Sequence, residues 1–347
     1  MLSGHNPVRR AYSEFSKVLR NNNKNQPVAI HLFMKKTILI VLHKHDSPLQ
    51  NSCYVIKYFI QRWAEQGYTV LSANGTDKKI DADIVINHVD LTVTPSNYIR
   101  YFSAYNKKIN TDVTDISKTA VSNCILKPGA SHAGPVIVKT NNNCGGLREE
   151  NMRMRSRSMA ACARKITSVL SNRIKKAEIH NSALQSSGVT PSNCRHIDTV
   201  KNWNHVTTLD NRNYPIFDSV HQVPAGVWNN EALVVERFMP ERDAAGNYVC
   251  RYLYFLGDKS FCVVTTSENP VAKSQIIGRQ ILPGPGPVEL QQFRRTFRMD
   301  YGRLDYTLVD GRVWLFDANR TPTFSPETYA TYREQIDALS EGIHSFF

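Results

Sequence analysis

The sequence predicts an α/β segment at its N-terminal side passing into an α+β region. Three observations carry this expectation. A buried-type apolar run, Thr37–Leu42, is followed by a helix pattern and by two further short strand patterns up to His88. Paired strand patterns around tight turns dominate 231–319. A chain of 347 residues, 41% hydrophobic and 21% charged, is long enough for two or three domains with their own cores.

Composition narrows the classes. No apolar run reaches the length of a membrane span, so no transmembrane helix is expected. Lys and Arg number 43 against 30 Asp and Glu, giving a net charge of +13. That excess suits an anionic partner. It concentrates at 148–176, a predicted basic helix, where no aromatics interleave the arginines, so single-stranded nucleic acid is not the expected partner. The seven cysteines form no CxxC pair, which argues against structural zinc. With no secretory segment at the start, reduced thiols in a cytoplasmic protein are the simplest account.

Residues 1–33 are polar and basic and read as a flexible extension ahead of Met34. The α/β domain then spans 34–115. Its first strand ends at His43-Lys-His-Asp46, a helix covers Cys53–Gln66 up to Gly67, and Tyr68–Leu71 and Asp83–His88 supply two more strands. Ligands of parallel sheets sit beyond the strands' carboxyl ends, so His43, His45 and Asp46 are placed to touch a substrate. A metal reading of His-x-His lacks a third ligand. Residues 116–180 hold a short helix from Asp115–Lys118 to about Ile125, a strand Gly134–Lys139, the loop Thr140–Gly146 and the basic helix. Residues 181–347 hold a strand Glu231–Phe238, a hairpin of Tyr248–Leu256 with Ser260–Thr265, a helix near Val288–Arg298, a terminal hairpin and a closing helix Tyr329–His344.

The terminal hairpin, 303–322, turns at Asp310-Gly311. With Val309, Asp310 and Gly311 as a three-residue loop, Leu304, Tyr306, Leu308, Trp314 and Phe316 share an apolar face. Asp305, Thr307, Asp317 and Asn319 then share the other. Two carboxylates about 4 Å apart repel by roughly 4 kcal/mol at an effective dielectric near 20. A hard divalent cation with oxygen ligands offsets that. An ordinary solvent-facing hairpin would instead pair its acids with arginines such as Arg303 and Arg312.

Three features in this order gain weight together: Lys139 at a strand end before Gly145-Gly146, the strand Val235-Glu236-Arg237-Phe238, and Asp305…Asp317-Ala-Asn319-Arg-Thr-Pro322. With Lys118 in Asp-Ile-Ser-Lys, the chain resembles the ATP-grasp superfamily over roughly 37–325. It is similar in kind to glutathione synthetase and to ribosomal-protein glutamate ligases. The resemblance implies an ATP-grasp fold, α/β and α+β, with a Rossmann-like N-terminal domain. It implies ATP held by Lys118, Lys139, the loop at Gly145 and Gly146, and the segment Val235, Glu236 and Phe238. It implies Mg²⁺, with Mn²⁺ as a substitute, on Asp305, Asp317 and Asn319. The implied reaction is ADP-forming carbon–nitrogen ligation through an acyl phosphate. Many relatives place a ribose-binding acid where Cys250 stands here; Glu241 or Asp243 is the substitute, with Glu241 preferred. Arg251 and Lys273 are the candidate catalytic cations. The expected substrate is an anionic carboxylate, small molecule or peptide, with no membrane partner and a homodimer left open. An ATP-grasp kinase and a non-catalytic nucleotide- or nucleic-acid-binding protein are the alternatives.

Overall fold

The computed structural model describes residues 35–155, 202–271 and 275–347, and all that follows concerns these. The expectations for 1–33, for the basic helix beyond 155 and for Lys273 lie outside them. The chain divides into two units, Met1–Lys35 and Lys36–Phe347, and the second holds every element below.

Three sheets organise that unit. The first is parallel. Its strands are β1 (Thr37–Leu42), β2 (Thr69–Asn74), β3 (Ile84–Asn87) and β4 (Lys107–Ile109), in spatial order β2-β1-β3-β4. β1 is central and its last five residues are buried, as a run of Ile, Leu and Val covered on both faces must be. The helix Ile56–Glu65 packs Phe59 and Trp63 on one side of it. Residues Ser96–Phe102 pack Tyr98 and Phe102 on the other. The fourth strand and the second helix fall in the stretch whose sequence pattern predicts only a loose segment.

The second sheet is small and antiparallel. It contains β5 (Ile125–Leu126), β6 (Val136–Thr140), β7 (Ile216–Phe217) and β8 (Leu233–Arg237), in order β5-β8-β6-β7. The predicted helix up to Ile125 is only Lys118–Val121, and its capping residue Ser117 makes no side-chain cap bond. Asp115 instead accepts the Ser117 N–H at 2.7 Å, and β5 takes over the chain.

The third sheet is the largest: β9 (Glu241–Arg242), β10 (Tyr248–Leu256), β11 (Lys259–Ser267), β12 (Ile276–Pro283), β13 (Tyr301–Val309) and β14 (Arg312–Asn319). Its order is β12-β11-β10-β13-β14, with β9 paired to β10. One face packs with the helix Val288–Phe297 around Leu253, Phe255, Leu290 and Leu304. The closing helix is broken. Pro326–Thr331 and Arg333–Ser340 meet at Tyr332, whose φ of −112° interrupts the helix, and a 3₁₀ stretch, Glu341–Phe346, ends the chain. The predicted face of Tyr332, Ile336, Leu339 and Ile343 is nonetheless buried, and it joins the third sheet to the first. Trp63 Nε1 donates to Ser340 O at 2.9 Å across that junction.

Candidate active site

A cleft of about 820 Å³ opens between the small sheet and one face of the large one. Alternation along the strands decides what faces it. On β10, Tyr248, Cys250 and Tyr252 line the cleft, as do Glu236, Phe238 and Met239 at the end of β8. Lys139, from β6, lies in the wall with 8% exposure. Its Nζ donates to Glu236 Oε2 at 2.6 Å and sits 4.6 Å from the centre of the Phe316 ring. Burial works against that ammonium, but the charge and hydrogen bond of Glu236 outweigh it and hold Lys139 above its ordinary value. The other oxygen, Glu236 Oε1, is buried without a hydrogen-bond partner.

The carboxylates stand at the edge of the same cleft. Asp305 and Asp317 are direct cross-strand partners, so they share a face. The route differs from the expected one. Val309 pairs with Arg312, which leaves a two-residue turn of Asp310 (φ 52°) and Gly311 (φ 71°), both left-handed as a type I′ turn requires. That register alone would put the two acids on opposite faces. A bulge between Asp305 and Tyr306 restores them: Tyr306 pairs with Leu315, Asp305 with Asp317, and Phe316 is the extra residue. Phe316 and Asp317 therefore both line the cleft. The core face carries Val313, Leu315 and Ala318, whereas the expected apolar face had Trp314 and Phe316.

Each acid has a cation. Arg303 grips Asp305 with Nε to Oδ1 at 2.6 Å and Nη2 to Oδ2 at 2.8 Å. Its guanidinium lies 5.0 Å from the Tyr252 ring centre. Burial opposes its charge, but Asp305 holds it well above the ordinary arginine value. Lys118, 2% exposed, reaches Asp317 Oδ1 at 3.4 Å and Asn143 Oδ1 at 3.3 Å. Asn319 lies on the face of Asp317, two residues on, opposite Arg303. Its Oδ1 accepts the Thr321 N–H at 2.9 Å. Arg303 was missed as a site residue, although Arg-x-Asp within one strand puts both side chains on one face.

The loop 140–146 ties these parts together. Asn141 Oδ1 accepts the Thr119 N–H, and Asn143 Nδ2 donates to Ala318 O at 2.9 Å. Gly145 (φ 69°) and Gly146 (φ 72°) face neighbouring backbone rather than the cleft. A Cβ on either would run into Leu209 O or Thr207 O. Their need for glycine thus comes from close chain approach.

Other candidates stand elsewhere. Arg251 pairs across to Val264 and Tyr306 and faces away from the cleft; its guanidinium is clamped on the Glu241 carboxylate, Nη2 to Oε1 at 2.6 Å. Glu241 also accepts the Leu308 N–H at 2.7 Å, so this candidate for the ribose joins β9, β10 and β13 instead. Val235 is buried in the core of the small sheet. His43 and His45 lie 5.4 Å apart between ring centres, and no group of three or more His, Cys, Asp or Glu among the described residues could hold a metal. Asp46 pairs with Arg148 at the start of the helical stretch 147–155.

A small sheet with a buried lysine and a large sheet with paired acids thus enclose one cleft. The mixed α/β and α+β layers are those the sequence leads one to expect. No family model and no curated protein matches the sequence. Solved structures are similar to it at low identity. D-alanine–D-alanine ligase from Bacillus anthracis, complexed with ATP, is 10% identical over 90% of this chain and 96% of its own, with a TM-score of 0.40. Macrocyclase MdnC from Microcystis aeruginosa, bound with precursor peptide MdnA, is 12% identical over 88% and 98%, with a TM-score of 0.41. A RimK domain ATP-grasp protein from Sphaerobacter thermophilus is 8% identical over 89% and 99%, with a TM-score of 0.43. At such scores the likeness carries no residue role.

The cleft's own chemistry fits a nucleotide and a hard cation. Glu236 Oε1 is a buried acceptor awaiting a donor. Asp305, Asp317 and Asn319 present oxygen donors on one face, and a carboxylate oxygen bonded to a guanidinium keeps lone pairs to spare.

Proposed function

We propose that this chain is an ATP-dependent ligase. It activates a carboxylate as an acyl phosphate and joins it to an amine or another nucleophile, releasing ADP and phosphate. The observation that carries this reading is the placement, in one cleft, of an unpartnered buried acceptor on Glu236 and two carboxylates on the facing sheet. An adenine amino group would satisfy Glu236 Oε1, with Phe238 and Phe316 as apolar walls. The phosphates would then run toward Lys118 and the acids.

Asp305, Asp317 and Asn319 would hold Mg²⁺ or Mn²⁺, which supplies charge neutralisation for the transferring phosphoryl group. This chain's residues do the rest. Lys118 and Arg303 sit beside the acids and face the charge that develops on the γ-phosphate oxygens. A substrate carboxylate oxygen bonds to the γ-phosphorus as its bond to the bridging oxygen breaks and ADP leaves. The nucleophile then bonds to the acyl carbon, phosphate leaves, and the amine's proton passes to solvent. Loop 140–146, fastened to β14 through Asn143, helps hold Lys118 beside Asp317.

Release of ADP and phosphate tests the reading, screened over pairs of carboxylates and amines with Mg²⁺. Phosphate release that needs both substrates supports it. ADP release without phosphate, with a phosphorylated product, would identify a kinase instead.

A further inference from the structure

A second cavity of about 890 Å³ adjoins the cleft, and Tyr252 lines both. It lies on the same face of the large sheet, between β10–β12 and the helical segment ending at Tyr332. Its chemistry is lopsided. Arg303 and Arg279 line it, and no aspartate or glutamate does. Arg303 is neutralised by Asp305. Arg279, on β12 opposite Thr265 of β11, is exposed, and its side chain makes no hydrogen bond or ion pair among the described residues. Nearby, Tyr332 is 2% exposed, yet its hydroxyl finds no partner. Arg279 is close enough for its charge to act on that phenol. Ile276, Val263 and the Tyr252 and Tyr254 rings supply apolar walls.

A buried hydroxyl without a partner, beside an arginine whose charge no described protein group takes up, makes this space suited to an anion. The position of Arg279 says more. It stands three strands from Asp305, across β10 and β11, about 14 Å of backbone at ordinary strand spacing. A single carboxylate at the acids cannot also reach it. We propose that this cavity selects carboxylate substrates that carry a second anionic group. One carboxylate would lie at the Arg303 end, where it is activated. The second would lie on Arg279 and Tyr332, with the body extended along the aromatic wall. This deepens the ligase reading and rests on it for the role of the first carboxylate.

The test is a titration of the full chain, with and without Mg·ADP. The probes are N-acetyl-glutamyl-glycyl-glycine and N-acetyl-glutaminyl-glycyl-glycine, which differ by one carboxylate and, at about 3.4 Å per residue, set the two anions on the order of 10 Å apart, within reach of the two arginine side chains. The diacid is expected to bind about tenfold more tightly. In Arg279→Gln that preference should shrink to within about twofold, with ADP affinity unchanged. Tyr332→Phe, which keeps the ring in the core, should weaken the diacid alone. Equal affinities in the parent chain, a preference that survives Arg279→Gln, or no binding of either peptide would overturn the proposal. Failure of the ligase reading shows separately, as absence of ADP binding. In that case the nucleotide-free arm still decides the cavity.

Discussion

Asp317 is the residue on which most of the site's chemistry converges. It is Asp305's cross-strand partner and Lys118's counter-ion. Asp317→Ala should lower Mg·ATP turnover by at least about a hundredfold while leaving the fold intact, because it removes a phosphate-facing charge from a crowded edge. Near-normal ADP release from a folded variant would remove the metal assignment. Lys139 and Glu236 call for a different design, since their ion pair is buried. Lys139→Met alone strands a buried carboxylate and should cost on the order of 3 kcal/mol. Adding Glu236→Leu should recover most of that stability, yet neither variant should bind ATP. A double variant with the parent's nucleotide affinity would show the pair to be structural only. This pair joins residues 97 apart in sequence and could not be read from either strand alone. Arg303 with Asp305 was different: both were visible, two residues apart, and strand parity was enough to join them.

Among the elements, the terminal hairpin shows what sequence periodicity can and cannot resolve. Asp310-Gly311 announced the turn, and the facing of the two acids was anticipated. The mechanism was not, because a period of two cannot reveal a bulge at Phe316. β12 also escaped prediction. It is an edge strand with Gly278, Arg279 and Gln280 in its middle, and its half-exposed residues lack clean alternation. The break at Tyr332 carries no proline or glycine to announce it. The glycine loop makes its own prediction. Gly146→Ala adds a side chain at φ 72° directly against Thr207 O, so it should cost about 1–3 kcal/mol and shift the loop. A lower melting temperature and faster proteolysis within 140–146 would register this. An unchanged melting curve would mean that the close approach is not required.

At the scale of the whole molecule, the junction of the parallel domain with the rest holds a group that acid should find. His88 is wholly buried between the Tyr54 and Tyr301 rings, and neither ring nitrogen has a partner. Burial pushes it down to about 4 from 6.5. Below pH 6.5 the unfolded chain binds a proton there that the folded chain refuses until about pH 4. His88 therefore supports the fold above pH 6.5, and that support is lost as pH falls toward 4. Asp46 works in the opposite sense, since burial raises it to about 6 from 3.8. The informative quantity is thus a difference. His88→Phe should gain melting temperature relative to the parent chain steadily from pH 6.5 down to 4. A constant offset across that range would contradict the assignment.

The internal counter-ions at the acids imply an order of addition. Arg303 and Lys118 already do for Asp305 and Asp317 what a divalent cation would do. Free Mg²⁺ must displace or share with two resident cations, so the chain should hold it weakly on its own. On the proposed reading, Asp305 and Asp317 would hold Mg²⁺ more readily with ATP present, because phosphate oxygens would give Lys118 and Arg303 new partners. The binding of metal and nucleotide should therefore be mutually reinforcing. A titration would show this as Mg²⁺ affinity rising with ADP or ATP present, and equal affinity in both conditions would count against it.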